Sequence, residues 1–162
     1  MSNGPESIVP NRAGRRTGVV SEFTIVAPLA PGGAQRLRML SSSETGDPQG
    51  PDNLRSVRTL HDLRWVIFDN DTRAIFATTY DGDWDSYIDD FATSIPDMMD
   101  AWFSVFAGYP GITHPTVKDY FAAHQVTAAL WFSAYPTVRT ADIDRNQRVA
   151  RAVEALLDAA NP

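Results

Sequence analysis

Thr59-Leu-His-Asp-Leu-Arg-Trp-Val-Ile-Phe68, Asp69-Asn-Asp-Thr72 and Arg73-Ala-Ile-Phe-Ala-Thr-Thr-Tyr80 are the three consecutive stretches whose reading decides the fold. β-Branched and aromatic residues dominate the two outer stretches. Between them lie short polar residues, of which Asn and Asp tolerate positive φ. The pattern predicts an antiparallel hairpin. A turn on Asn70-Asp71 sets Phe68 against Arg73, Trp65 against Phe76 and His61 against Tyr80. One face then holds His61, Leu63, Trp65, Ile67, Phe76 and Tyr80; the other holds Asp62, Arg64, Val66, Phe68, Ile75 and Thr79. Both faces are substantially apolar, so both need cover.

Working outward, Glu22–Leu29 reads as a strand stopped by prolines. Pro31-Gly32-Gly33 opens a helix with Leu37 and Leu40 on one stripe, ending in Ser41-Ser42-Ser43, and residues 44–55 form a polar loop. After the hairpin, Asp83 offers an N-cap to a helix from Trp84 that breaks and resumes at Pro96. Gly108 to Pro115 is a loop, Thr116–His124 a short helix, and Val126–Tyr135 a last strand. Thr140–Ala160 is a terminal helix with Ile143, Val149, Val153, Leu156 and Leu157 at helical spacing. Residues 1–20 read as a disordered basic arm, and 21–162 as a single α+β domain. The order strand, helix, strand, strand, helices, strand matches the ferredoxin-like split βαβ plan, a four-stranded antiparallel sheet with helices on one face. The other face must meet the C-terminal helix or a second subunit; sheet-to-sheet pairing would make a homodimer, a dimeric α+β barrel.

Composition narrows the function classes. With no cysteine, the chain offers no disulfide scaffold, thiolate zinc site or Cys nucleophile. The net charge of −6 is uneven: residues 1–60 sum to +2 and 61–162 to −8, and residues 81–100 carry seven Asp and no basic residue. A nucleic-acid partner is not expected, because the folded part lacks a basic face. Without an apolar run long enough for a membrane span or a secretory signal, the expectation is a cytoplasmic location. The acidic run from Asp81 resembles a calcium loop but has Ser86 and Ala92 where that loop needs Gly and Glu, so no metal is expected. Hydrolase-elbow, Walker and Rossmann motifs are absent.

Chemistry is expected at one rim of the sheet, gathering Pro28, His61, Asp62, Tyr80, Asp81 and Thr127 near the helix starts at Gly32-Gly33 and Asp83-Trp84. His61 is the candidate general acid/base, with Tyr80 and Arg64 as polarising or orienting groups. Asp62, Trp65, Asp81 and Trp131 are the candidate substrate-binding residues. Arg64 reads either as a satisfied ion-pair partner or as an anion clamp.

The segment His61-Asp-Leu-Arg64-Trp65 followed by Thr79-Tyr80-Asp81-Gly82, with Gly108-Tyr-Pro110 and Ala134-Tyr-Pro136, resembles a group of bacterial ferredoxin-like proteins of the dimeric α+β barrel type. That resemblance spans residues 22–145 and implies the fold and an interest in His61, Arg64 and Asp81; it implies no settled activity. Some members of the group occur alongside haem peroxidases. Two function classes follow. One is an oxidoreductase-like or isomerase-like enzyme, free of cofactor, acting on an apolar anionic small molecule. The other is a non-catalytic ligand-binding or accessory module for a partner oxidoreductase. Haem is the alternative to a cofactor-free pocket, with His61, His114 or His124 as axial ligand and Trp65, Trp102, Phe103, Phe106, Trp131 and Phe132 as lining.

Overall fold

The computed structural model describes residues 14–46 and 54–160. Along the chain run β1 (Arg16–Thr17), β2 (Val20–Pro28), α1 (Gly33–Gly46), β3 (Leu60–Phe68), β4 (Arg73–Asp81), α2 (Trp84–Ser94), α3 (Pro96–Phe103), α4 (Val117–His124) and α5 (Thr140–Ala160). The fold is α+β, and its four strands form one open antiparallel sheet in the order β1-β2-β4-β3. That architecture is compatible with a ferredoxin-like fold.

The hairpin forms as its sequence predicts, with Phe68 against Arg73 and Trp65 against Phe76. Asp69, Asn70 and Asp71 all take positive φ, 56°, 52° and 65°. Three successive left-handed residues are costly for L-side chains. Asp69→Gly should therefore stabilise the chain by about 0.5–1 kcal/mol, read as a higher midpoint in chemical denaturation with an unchanged slope.

One face of the sheet packs on α1 to α4. Phe23, Ile25 and Ala27 of β2, Ala74, Phe76 and Tyr80 of β4, Leu37 of α1, Tyr87, Ile88 and Phe91 of α2, Phe103 of α3 and Phe121 of α4 are all buried there. The rings interlock edge to face as aromatic quadrupoles prefer. Phe103 is the centre, meeting Trp65 at 5.1 Å, Phe76 at 4.9 Å, Phe106 at 5.9 Å, Tyr109 at 5.7 Å and Phe121 at 5.2 Å between centroids.

Tyr80 stacks on Tyr87 at 3.9 Å, and burial drives both phenols well above their ordinary value, as it does for Tyr109. The folded chain thus holds protons that the unfolded chain surrenders above pH 10. Below that pH the three residues leave stability flat; above it each steepens the loss by about 1.4 kcal/mol per pH unit. Denaturation at pH 9, 10 and 11 should show a plateau and then a steep fall.

The fourth place in the sheet departs from expectation. Val126–Tyr135 forms no strand. At its start the chain meets β2 through a bridge between Gln125 and Ile25 and the bond from Val126 N to Thr24 O. The start of that edge is occupied by β1, where Arg16 pairs with Ser21 and Thr17 with Val20, and its end by Phe106 and Ala107, which meet Leu29 and Pro28. Side chains replace the missing ladder. Glu22, buried on β2, accepts from the Ala128 amide and the Arg15 amide, while the Arg15 guanidinium donates to the carbonyls of Ala128 and Ala129. The expected arm is corrected in its last residues: 14–20 build this edge, and 1–13 lie outside the described residues. Gly18 turns at φ 62° so that Val19 N can donate to Pro136 O at 2.9 Å, and a Cβ there would collide with that carbonyl. Gly18→Ala should cost about 2 kcal/mol or more, seen as a lower thermal midpoint.

The terminal helix does not cover the open face by itself, since none of its residues is buried. Among the described residues no helix is long and apolar enough to cross a membrane.

Candidate functional site

The site begins with an irregularity in β3. Leu60 pairs with Tyr80 and Asp62 with Thr79, so His61 is the extra residue of a β-bulge. The bulge overturns the expected pairing of His61 with Tyr80. It turns His61 onto the open face beside Asp62, where strict alternation would have put it among the core residues. There the His61 Nε2 lies 2.9 Å from Asp81 Oδ1.

Asp81 is the anchor of this corner. Its side chain is 5% exposed, against 17% for His61. Its second oxygen accepts from the Thr140 amide at 2.8 Å and the Thr140 hydroxyl at 3.0 Å. That hydroxyl also meets the Arg58 carbonyl. One buried carboxylate therefore fixes the bulged histidine and the first residue of α5, in the manner of an N-cap acting from a distance.

The open face between these anchors is a groove of about 760 Å³. Its floor is Val20, Glu22 and Thr24 of β2, Ala77 and Thr79 of β4, and Asp62 and Arg64 of β3. Its roof is the segment from Ala128 to Val138, with Trp131, Phe132 and Tyr135, and the first turns of α5 through Ile143 and Asn146. His61 stands at the rim. With Nε2 donating to Asp81, Nδ1 is the basic nitrogen. Arg64 reaches Asp62 only at 3.4 Å, and both side chains are more than half exposed, so the guanidinium is weakly held.

The candidates named from sequence thus divide. His61, Asp62, Arg64 and Trp131 line the groove together, with Asp81 behind His61. Tyr80 and Trp65 belong to the helix-covered face. Tyr80 is fully buried, its hydroxyl has no partner among the described residues, and the neighbouring Ser21 hydroxyl donates to Gly82 O at 2.8 Å. Trp65 stacks on Trp102 at 5.8 Å. Neither can touch a molecule in the groove. Pro28 pairs with Arg73 at the far end of the sheet, because β2 and β4 run antiparallel; the end of β4 meets the start of β2 at Val20. The helix start at Gly33 therefore lies away from His61. The six aromatics considered for haem also separate: Trp65, Trp102, Phe103 and Phe106 pack into the core, while Trp131 and Phe132 line the groove. His114 is engaged with Thr116, and His124 with the Tyr120 carbonyl. Among the described residues no group of three or more His, Asp or Glu side chains is placed to hold a metal.

Sequence reading missed Glu22, Asn146 and Thr140. The one charged residue inside the strand Val20–Pro28, seven residues after an arginine, was the available signal for Glu22. Compared with protein-family models, with curated proteins and with solved structures, the chain finds no match.

Proposed function

We propose that the groove binds an apolar small molecule carrying a carboxylate, and that His61 shifts a proton on it in an isomerase-like reaction. The carrying observation is the 2.9 Å bond between His61 and the buried Asp81 at the groove rim. A carboxylate behind a histidine fixes its tautomer and stabilises the imidazolium that forms when it takes a proton. His61 Nδ1 removes a proton from the carbon next to a carbonyl and returns it to a neighbouring atom, so no electrons are gained or lost. Arg64 is the orienting cation for the carboxylate, and Trp131 offers an apolar ring. Tyr80, on the other face, has no part in this reading. In finer detail, we read the plan as ferredoxin-like with its fourth strand unladdered, and the assembly as a homodimer through the open face.

A panel of aryl and alkyl 2-oxo acids incubated with the protein in heavy water tests the reading. Mass spectrometry should show deuterium entering at carbon, at least 100-fold faster with wild type than with His61→Gln. Arg64→Gln should weaken binding of the same acid about tenfold. Equal exchange in wild type and His61→Gln would refute the catalytic role.

A second reading is a non-catalytic ligand-binding module. The favouring observation is that Asp81 also holds the start of α5, so the His61 bond serves as part of that fastening. Binding of a panel acid with no exchange above background would select it.

A further inference from the structure

The α5 helix spans 21 residues without burying one. Its sequence nevertheless keeps a regular apolar seam. Ile143, Asn146, Ala150, Val153, Leu157 and Ala160 alternate at spacings of three and four, and Val149 and Leu156 widen the stripe. In proteins such a helix owes most of its stability to packing of its apolar face. Its first turns line the groove through Ile143 and Asn146.

The same side of the molecule carries the surface this helix lacks. The groove covers the sheet from Val20 to Thr24, Asp62 to Arg64 and Ala77 to Thr79, and stops there. The next residues on that face, Val26, Val66 and Ile75, continue an apolar strip, with Val66 exposed. The groove is thus open toward that strip. On the roof of the groove Leu130, Phe132 and Tyr135 are each at least 74% exposed. Summed with the exposed apolar side chains of α5, they amount to on the order of 1,000 Å² of surface, against about 800 Å² per partner in a standard interface.

We infer that a second copy of this chain covers this side, with the α5 of each protomer lying on the apolar strip of the other. The assignment rests on the open-face homodimer read above and specifies what closes it. One chain supplies both the unburied helix and the half-exposed apolar strip, which is the self-complementarity a twofold interface requires. The partner's helix then forms the missing wall of the groove. Each site is complete only in the dimer.

The chain has no cysteine, so introduced thiols report alone. Light scattering at 50 µM should give twice the 17.9 kDa chain mass. Val153→Asp combined with Leu156→Asp should weaken association at least 100-fold, with the near-ultraviolet circular dichroism of the core aromatics unchanged because neither side chain is buried in its own chain. Met39→Asp, on α1, should leave the dimer intact. Under mild oxidation, mixed Val66→Cys and Val153→Cys chains should form a covalent dimer that neither forms alone. A monomeric wild type, or cross-linking of Val153→Cys to itself with none in the mixture, would overturn the inference. His61→Gln should remain dimeric, so a failed exchange assay and a failed assembly are read separately.

Discussion

Asp81→Ala should destabilise the folded chain by about 3–5 kcal/mol, the scale seen when one partner of a buried, hydrogen-bonded charge is removed. The substitution strands the His61 imidazole and the Thr140 amide, while the Thr140 hydroxyl keeps the Arg58 carbonyl as its acceptor. None of these losses is a packing loss, so the core should survive. The effect should concentrate at the corner: amides in the first turns of α5 and around the β3 bulge should exchange far faster than those of β4. Asp81→Asn keeps one accepting oxygen but turns an NH2 group toward a donor, and about half the penalty should remain. Denaturant titration gives the sum, and site-resolved hydrogen exchange gives its location. Uniform loss of protection, or no loss at all, would contradict the role given to Asp81.

Phe103→Ala should cost about 3–5 kcal/mol by a different route. Its ring meets five others and is almost fully buried, so truncation removes transfer energy and leaves a void between α3 and the sheet. Aromatic neighbours are stiff, and the site should collapse poorly. Trp65 and Trp102 lie beside the void, so a red shift in tryptophan emission should accompany the lowered thermal midpoint. Phe103→Leu should recover more than half the loss. The proposed dimerisation through the opposite face should be unaffected, which separates this variant from those in α5.

The hairpin was legible because residue periodicity and turn chemistry agree over twenty-two residues, 59–80. So were the helix break at Pro96 and the amphipathic stripe of α5, each written in local spacing. The bulge at His61 was not. A single inserted residue changes no composition, yet it flips the side chain to the other face and rewrites the site. Tyr80 and Asp81 show the same sensitivity: neighbours in sequence, they belong to opposite faces, and only Asp81 reaches His61. Val126–Tyr135 failed as a strand for a non-local reason. The start of the edge it would have joined is taken by Arg16–Thr17, and the carbonyls of Ala128 and Ala129 are claimed by Arg15, more than a hundred residues away in sequence. No window of local sequence contains that competition.

The unladdered segment has a kinetic consequence. A paired strand opens only by breaking a cooperative row of bonds, whereas residues 126–138 are held by a few separate ties: Val126 to Thr24, Ala128 to Glu22, Arg15 to two carbonyls, and Pro136 to Val19. Such ties can release one at a time, at free energies well below global unfolding. The roof of the groove is then the part of the protein that breathes first, while the sheet beneath it stays closed. Under the proposed function, ligand exchange in the groove should therefore respond to weakening of the Glu22 and Arg15 ties more than to changes in the stability of the fold.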